Sequence, residues 1–320
     1  MAKKMNSRNN NTIYGILKRK IIKLFKTIFL LLVLACIGYA LIAYLSKDDI
    51  IKLNDSQIKL YIDSADNVSK GKLQVNWKYL AAIDWVRNDK DLSQLDDNNI
   101  QELGQTFLDK NDSEDKYILV SLENILNDLT FSNSEKKHTY KYIDQLEFIG
   151  LVEDNLETDS SSKKFIDEIS PEAIKLYNKY GILPSITISQ AVLESSWGKS
   201  DLSVKANNLF GIKADTSWKG KFVTMTTSEY YDDVIISNFR SYENKVDSLD
   251  DYGAFISSNK RYTEHGVFNA SQYIDQAQSL EDAGYSTDQD QHGNTTYADL
   301  LIDIIQENDL QLLDNKAQGQ

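Results

Sequence analysis

The sequence has little cysteine and little proline, with one cysteine and two prolines in 320 residues. A disulfide needs two thiols, so the lone Cys36 excludes an internal disulfide framework and a cysteine-based metal cage. Cys36 also lies in an apolar run, which argues against a thiol nucleophile. The prolines, Pro171 and Pro184, both lie in the second half, and the lack of proline before residue 171 is typical of a small helical bundle.

Several catalytic signatures are also missing. The three histidines, His138, His265 and His292, are scattered, and no H-E-x-x-H motif accompanies them. No G-x-S-x-G elbow marks a serine hydrolase, and no glycine-rich loop is present to cradle a phosphate. We therefore expect neither a metal nor a cofactor.

Charge is distributed unevenly along the chain. The formal net charge is −13 at pH 7, yet the first 26 residues contain basic residues and no acid. The remainder is therefore strongly acidic and would be repelled by nucleic-acid phosphates. We expect no nucleic-acid partner, whereas a neutral or mixed-charge polymer such as a glycan is compatible with this charge.

One long apolar run follows the basic segment. Residues 27–46, TIFLLLVLACIGYALIAYLS, contain no charge and are long enough to cross a bilayer as a helix. Because positive residues stay inside, we predict a cytoplasmic tail at 1–26, a single transmembrane helix at 27–46 and an extracellular remainder in the cell membrane. Gly38 and Ala40 offer close approach to an integral-membrane partner.

This run has two other interpretations. A cleaved signal peptide is disfavoured because the apolar core is too long and no A-x-A site follows it. Lipidation of Cys36 is suggested by Val33-Leu34-Ala35-Cys36, but the apolar run continues well beyond Cys36, which suits a spanning helix better.

Residues 47–155 show helical periodicity and are predicted to form a helical spacer or docking module. Trp77, Leu80, Ala81 and Asp84 share one face, and Ile118, Leu122, Ile125 and Leu129 share another. Residues 156–164 are polar and serine-rich, so they are the predicted linker to a domain at 165–314, followed by a tail at 315–320.

Turn and cap residues predict the elements of that domain. Ser170 and Pro171 would begin a helix that Gly181 ends, and Pro184 would begin another that Gly198 closes. Two β-prone runs, 222–227 and 234–239, predict a hairpin. Further helices are expected near 243–258, 269–283 and 294–309.

The helix predicted to start at Pro184 carries one carboxylate, Glu194, among residues that are apolar on nearly every face. Burial and the negative end of the helix dipole would both raise the pKa of this carboxyl. A glutamic acid that stays protonated near neutral pH can protonate the leaving oxygen of a glycoside. The alternative is a structural glutamate that is capped by a hydrogen bond or paired with an arginine.

The surrounding motifs resemble a known family. PEAIKLYNKYG begins at Pro171, ALESSWG and NNLFGIK follow, and TSEYY, FRSY and GYST come later. This pattern resembles the glucosaminidase family of peptidoglycan hydrolases over about residues 165–313. The resemblance implies a mainly α (α+β) fold, lysozyme-like, with a short β-hairpin lobe beside the sugar groove.

The resemblance also implies roles for individual residues. Glu194 would be the general acid and Glu229 the second acid, with Asp232 or Asp233 as the substitute because the hairpin turn lacks the family's glycine. The second carboxylate would act as base, nucleophile or charge stabiliser, or the substrate's N-acetyl group would attack instead. The residues expected to bind substrate are Trp197, Asn207, Phe210, Tyr230 and Tyr285.

Three of these binding residues have structural alternatives. Trp197 and Phe210 could belong to the core alone, which is the main expectation for Trp197. Asn207 and its neighbour Asn208 could order the loop or meet the N-acetyl group, and loop ordering is the main expectation for Asn208. The implied activity is that of an endo-β-N-acetylglucosaminidase that cleaves peptidoglycan glycan strands after N-acetylglucosamine. The alternatives are a muramidase or lytic transglycosylase on the same fold, and an inactive cell-wall scaffold.

Overall fold

The computed structural model describes residues 18, 23–37, 50–111, 116–229, 233–286 and 293–319, with the side chains of 227–229 and 233–235 outside that description. The chain divides into two compact units, Met1–Ile50 and Ile51–Gln320.

In the first unit, residues 23–37 are helical and form α1. The predicted spanning segment, 27–46, falls only partly within this helix, and residues 38–46 lie outside the described residues. No helix in the described part of the chain is both long and apolar enough to cross a membrane. The transmembrane helix and its contacts at Gly38 and Ala40 stay predictions.

The first half of the second unit is a helical module with one hairpin. Its helices are α2 (Asp55–Ser69), α3 (Trp77–Arg87), α4 (Asp97–Gln105), α5 (Leu122–Asp128), α6 (Asn133–Gln145) and α7 (Glu153–Leu156). Asn54 begins α2 with a capping box that it forms with Gln57. Trp77, Leu80 and Ala81 lie in the core of this half, as their spacing predicts.

The hairpin in this half corrects the expectation of helices alone. Strands β1 (Leu108–Asn111) and β2 (Lys116–Leu119) pair antiparallel, with Leu108 opposite Leu119. Ile118 therefore lies on a strand and not on a helical face with Leu122. The apolar spacing therefore continues from a strand into the following helix. Ser121 is the N-cap of that helix, and its side chain accepts a hydrogen bond from the Asn124 N–H.

The second half begins with a helix that is longer than predicted. Helix α8 runs over Ser161–Tyr180, with Ser160 as its N-cap and Pro171 inside it. Residues 161–164 of the predicted linker are therefore helical, and the prediction that Ser170 caps the helix is wrong. Phe165, Ile166 and Ile169 are buried in the core, and this burial favours helix on both sides of the proline although Pro171 cannot donate a backbone hydrogen bond.

The remaining helices surround a central one. They are α9 (Pro184–Ser195), α10 (Asp201–Ala206), α11 (Lys245–Ser258), α12 (Lys260–Glu264), α13 (Tyr273–Asp282), α14 (Tyr297–Glu307) and α15 (Gln311–Gln318). Every residue of 184–192 is buried, so α9 is the central helix that its composition predicts. Helix α15 occupies much of the predicted tail at 315–320.

The predicted hairpin of the second half is confirmed. Strands β3 (Phe222–Glu229) and β4 (Asp233–Arg240) pair antiparallel, with Phe222 opposite Arg240. The described structure is therefore mainly helical, as expected, and of its two small hairpins only β3–β4 is predicted.

Buried polar contacts fasten the two halves of the second unit together. Trp77 donates its indole N–H to Oδ1 of Asp309 at 3.0 Å, and Lys78 Nζ lies 2.7 Å from Oδ2 of the same residue. Tyr273 donates its hydroxyl to Asp66 Oδ2 at 2.6 Å. The helical module is therefore packed against the half that carries the candidate site.

Candidate active site

A cleft of about 760 Å³ opens at the C-terminal end of α9. Its lining combines aromatic and apolar side chains with charged ones. The lining residues are Leu193, Glu194, Phe210, Gly211, Ile212, Lys213, Asp215, Arg240, Phe255, Arg261, Tyr262, Tyr285, Ser286, Tyr297 and Leu300.

Glu194 lies where the buried helix leaves the core. The side chains of 184–192 are enclosed, whereas Glu194 in the last turn is exposed. The expectation that Glu194 is buried is therefore wrong, because the final turn of α9 emerges into the cleft. Its position beside a cleft agrees with a catalytic role.

The turn after Glu194 has an unusual backbone. Helix α9 ends at Ser195 and not at Gly198, and Ser196, Trp197 and Gly198 have φ values of 51°, 61° and 70°. The Ser195 hydroxyl accepts a hydrogen bond from the Gly198 N–H at 2.7 Å and so closes this left-handed turn. The turn ends the helix directly beyond the carboxylate.

Tyr297, at the start of α14, contacts Glu194 directly. Its hydroxyl donates a hydrogen bond to Glu194 Oε1 at 2.9 Å. Burial, the neighbouring Tyr285 and then the charge of Glu194 raise the pKa of Tyr297 well above its ordinary value. The hydroxyl therefore stays protonated, and a hydrogen bond donated to a carboxylate stabilises the ionised form. This contact also stabilises the charge that Glu194 carries after it releases a proton.

Two of the predicted substrate-binding aromatics lie in the cleft. Phe210 stacks on Tyr252 with ring centroids 4.0 Å apart, and Tyr285 stacks on Tyr297 at 5.3 Å. Tyr285 is half-buried, so part of its ring is available to the cleft. The exposed part of the Tyr285 ring can pack against the apolar face of a sugar ring. Phe210 is only 5% exposed and belongs to the core at the wall of the cleft.

Trp197 and Asn207 are not among the described residues that line this cleft. Trp197 packs edge-to-face against Phe165 with centroids 6.3 Å apart, which fits its expected place in the core. Asn207 donates its amide hydrogens to the carbonyls of Tyr242 and Glu243, both at 3.1 Å. The structure thus gives both residues a packing or loop-ordering role, and their sugar contacts stay a prediction.

The neighbouring Asn208 orders the same loop. It is 1% exposed and donates to the carbonyls of Ile212 and Arg240. Its Oδ1 accepts from the N–H groups of Phe210 and Ile212. The loop-ordering role expected for Asn208 is confirmed, and it fixes Phe210 at the edge of the cleft.

The predicted second acid lies at the tip of the second hairpin. The backbone of Glu229 pairs with Asp233 at the ends of β3 and β4, and the side chains of both lie outside the described residues. Tyr230 and Asp232 lie outside the described residues altogether. The choice among Glu229, Asp232 and Asp233 therefore stays a prediction.

The cleft is also lined by residues that are not among the predicted site residues. Asp215 is an ionised group of the cleft, because the Ser217 hydroxyl and N–H hold the pKa of its carboxyl below the ordinary value. Arg240 Nη1 donates to both carboxylate oxygens of Asp251, and the Arg261 guanidinium donates to the Gly284 carbonyl at 3.1 Å. In the sequence, Tyr297 is only one apolar position of a helix, and its contact with Glu194 spans 103 residues. No short-range pattern signals such a contact.

The described residues offer no evident metal centre. Within the part of the chain that the structure describes, no group of three or more histidine, cysteine, aspartate or glutamate side chains is arranged to hold a metal ion.

Residues 170–310 match a family model, Glucosaminidase, described as mannosyl-glycoprotein endo-β-N-acetylglucosaminidase. This segment belongs to the glucosaminidase family. The matched segment contains Glu194 and every described residue of the cleft, so the site lies within the family domain.

Two named relatives share this glucosaminidase segment. The chain is 42% identical over 153 residues to the exo-glucosaminidase LytG of Bacillus subtilis. This alignment covers 46% of this chain and 51% of LytG. It is 36% identical over 152 residues to the peptidoglycan hydrolase FlgJ of Vibrio parahaemolyticus, covering 46% of this chain and 47% of FlgJ. The matches thus span about half the length of these relatives.

A solved structure also matches. The catalytic domain of the autolysin Auto from Listeria monocytogenes is 33% identical, with a TM-score of 0.43 over 57% of this chain and 98% of that domain. The family model and the two relatives confirm the resemblance to the glucosaminidase family that the motifs suggest. The mainly helical architecture with small hairpins is consistent with the lysozyme-like fold that this family implies.

Proposed function

We propose that this protein hydrolyses peptidoglycan as an endo-β-N-acetylglucosaminidase, cleaving the glycan strand after N-acetylglucosamine. The observation that carries the proposal is the placement of Glu194, which leaves a buried helix at the wall of a cleft and accepts a hydrogen bond from Tyr297. Membership of the glucosaminidase family supports the same chemistry.

Glu194 acts in this proposal as the general acid. It gives its proton to the glycosidic oxygen as the bond to the anomeric carbon breaks, which typically contributes ~10²–10⁴-fold to the rate. The hydrogen bond from Tyr297 stabilises the carboxylate that results. The anomeric carbon is then captured by water activated by Glu229, Asp232 or Asp233, by one of these carboxylates, or by the substrate's own N-acetyl group.

Sugar rings would be held by the aromatic wall of the cleft. Tyr285 offers a partly exposed ring, and Phe210 is fixed in place by its stacking on Tyr252. Lys213 and Arg261 add positive charge to the cleft of a chain whose net charge is negative, which suits a polymer that bears carboxylates, whereas Arg240 is already paired with Asp251.

The cleavage pattern is tested separately from the linkage. The relative LytG bears the name of an exo-enzyme, whereas the family description refers to an endo-enzyme. We propose the endo mode, which predicts that digestion of long glycan strands first yields intermediate lengths. An exo mode predicts release of short terminal products while the residual strands stay long, which chromatography of the digest distinguishes.

The biological setting is also part of the proposal. We infer that residues 27–46 anchor the protein in the cell membrane, with 1–26 in the cytoplasm and the glucosaminidase domain on the cell-wall side. There the enzyme would trim glycan strands during wall remodelling, with an integral-membrane protein as the partner of the anchor. Protease treatment of intact cells tests this orientation, because an external domain is degraded while a cytoplasmic one survives.

The linkage is tested by mass spectrometry of the reducing ends that the purified protein releases from cell walls. N-acetylglucosamine at the new reducing end supports the proposal. N-acetylmuramic acid there identifies a muramidase instead, and its 1,6-anhydro form identifies a lytic transglycosylase. No release by the protein would indicate the inactive scaffold.

A further inference from the structure

Three polar side chains are enclosed in the core directly behind Glu194. Tyr252 and Gln190 are 0% exposed, and Tyr297 is 2% exposed. Burying an amide and two hydroxyls is unfavourable unless their hydrogen bonds are made. These three groups make them with one another, in a row of hydrogen bonds that leads to Glu194.

The chain has a defined order. The Tyr252 hydroxyl donates to Gln190 Oε1. Gln190 Nε2 then donates to the Tyr297 hydroxyl oxygen at 2.8 Å, and that hydroxyl donates to Glu194 Oε1 at 2.9 Å. Gln190 and Glu194 are four residues apart on α9, so they lie on the same face of one helix and hold Tyr297 between them.

The amide of Gln190 gives this chain a direction, because its nitrogen can only donate and its oxygen can only accept. When the nitrogen occupies a lone pair of the Tyr297 oxygen, the hydrogen of Tyr297 is left for Glu194. A reversed amide would place its oxygen against Tyr297 and compete with Glu194 for that hydrogen. Tyr252, which donates to the amide oxygen, opposes this reversal.

We propose that Gln190, held by Tyr252, is a positioning residue that fixes Tyr297 as a one-way hydrogen-bond donor to Glu194 Oε1, so that Glu194 carries its catalytic proton on Oε2. The proposal rests on the proposed function and goes beyond it by assigning how the general acid is oriented.

The proposal has a direct consequence for proton transfer. The Oε2–H bond of Glu194 breaks, a new O–H bond forms at the glycosidic oxygen, and the electrons of the bond to the anomeric carbon leave with that oxygen. Glu194 becomes a carboxylate whose Oε1 already accepts the Tyr297 hydrogen. The carbon is then captured as in the proposed reaction, with water as the co-reactant of hydrolysis.

Other titratable groups around the carboxylate also influence its protonation. The cleft brings the charges of Lys213, Asp215, Arg240 and Arg261, together with the hydroxyls of Tyr262 and Tyr285. The substitutions used below change none of these groups. A change in the titration of Glu194 in those variants therefore reports on the hydrogen bonds among Tyr252, Gln190 and Tyr297.

The test compares Tyr252→Phe and Gln190→Met with Tyr273→Phe. Tyr273 is a matched control, because it is a fully buried tyrosine of the same core whose hydroxyl bonds Asp66 and not the chain behind Glu194. Tyr252→Phe removes one hydroxyl and keeps the ring, so it remains informative if Gln190→Met does not fold.

Two readouts are measured for each variant. The first is the pH dependence of kcat and KM on soluble glycan strands. The second is the titration of the Glu194 carboxyl by ¹³C NMR, assigned by its loss in Glu194→Gln, and this readout needs no activity. If wild type releases no reducing ends, the proposed function fails, while the NMR titration still decides the present proposal.

Tyr252→Phe and Gln190→Met should each lower kcat by up to about tenfold, which corresponds to the free energy of one hydrogen bond, with little change in KM. Glu194 should keep its proton to higher pH in both, which moves the alkaline limb of the rate profile upward. Tyr273→Phe should lower Tm and leave both titrations unchanged. If Tyr252→Phe and Gln190→Met lower only Tm and keep the wild-type titration of Glu194, the positioning role is wrong.

Discussion

Lys78 Nζ lies 2.7 Å from Asp309 Oδ2, and both side chains are only 6% exposed. Lys78 belongs to the helical module and Asp309 follows α14 of the glucosaminidase half. The Trp77 indole donates to the other oxygen of the same carboxylate. A buried ion pair with this additional hydrogen bond joins two halves that the sequence alone suggests are separated by a linker.

The first prediction concerns this ion pair. Asp309→Ala leaves the ammonium of Lys78 buried without its partner, so the free energy of unfolding should fall by about 3–5 kcal/mol. Denaturation monitored by fluorescence measures the change. Lys78→Met combined with Asp309→Leu should be much less destabilised than Asp309→Ala, and equal losses in the two proteins would contradict this explanation.

The second prediction concerns pH and Asp66. Burial raises the pKa of its carboxyl to about 6, against hydrogen bonds from Tyr273, Gln74 and Gln306 that lower it. Between about pH 4 and pH 6 the folded protein keeps this proton while the unfolded chain, with a pKa near ~3.9, loses it. Ionisation of Asp66 therefore destabilises the folded state as pH rises through this window, by on the order of 3 kcal/mol in full.

Unfolding free energies measured from pH 4 to pH 8 test this sign. Asp66→Asn should flatten the decline with rising pH, whereas Asp167→Asn, a matched change at an exposed acid that pairs with Lys163, should keep it. Asp314, whose pKa burial raises to about 7, should leave a residual decline in both variants. A wild type that gains stability from pH 4 to pH 7 through Asp66 would contradict the prediction.

The third prediction concerns the turn that follows Glu194. Gly198 has φ of 70°, and a Cβ at this position would lie 2.7 Å from the Phe165 ring. Gly198→Ala should therefore destabilise the protein by more than the ~1 kcal/mol typical of the left-handed conformation, and should lower kcat because the turn beyond Glu194 shifts.

Gly266→Ala is the control for this prediction. Gly266 has φ of 82°, and a Cβ added there would meet no atom within 4 Å, so this variant bears only the conformational cost. Thermal melts and kcat are measured for both variants. Equal loss of stability in the two, with full activity in Gly198→Ala, would show that contact with Phe165 does not matter.

The fourth prediction concerns Pro171, which lies inside α8 and is exposed. Pro171→Ala restores a backbone donor within the helix, so it should raise the free energy of unfolding by about 1 kcal/mol or more, despite the greater freedom of the unfolded chain. Chemical denaturation measures the change. A lower free energy of unfolding would indicate that the ring of Pro171 contributes packing that outweighs the hydrogen bond.

Pro171 also illustrates what the sequence can predict and what it cannot. Ser170-Pro171 is a good local signal for a helix start, and the signal is wrong because Phe165, Ile166 and Ile169 gain more from burial in the core than the helix loses at the proline. A local signal for a helix start gives no information about which neighbouring side chains are buried by residues far away in the sequence. The central helix α9 is predicted well because its apolar composition reports its own burial.

In the candidate site too, local sequence predicts some features, while others depend on contacts between distant residues. Glu194 is recognised from its place near the end of an apolar helix, and Phe210 and Tyr285 from motifs within short segments. The exposure of Glu194 is not predicted, because composition does not reveal which turn of a helix leaves the core. The contact with Tyr297 and the chain through Gln190 join residues far apart in sequence, so only the folded structure brings them together.

The most direct test of the central claim is whether Glu194 protonates the leaving oxygen. Rates of wild type, Glu194→Gln and Glu307→Gln, an exposed glutamate of α14, are compared on glycan strands and on a dinitrophenyl glycoside of N-acetylglucosamine oligomers. The latter leaving group departs without a proton. We predict that Glu194→Gln loses ~10²-fold or more on strands and far less on the dinitrophenyl substrate, with Glu307→Gln like wild type. A Glu194→Gln variant that digests strands at the wild-type rate, or that loses both activities equally, would contradict the general-acid role.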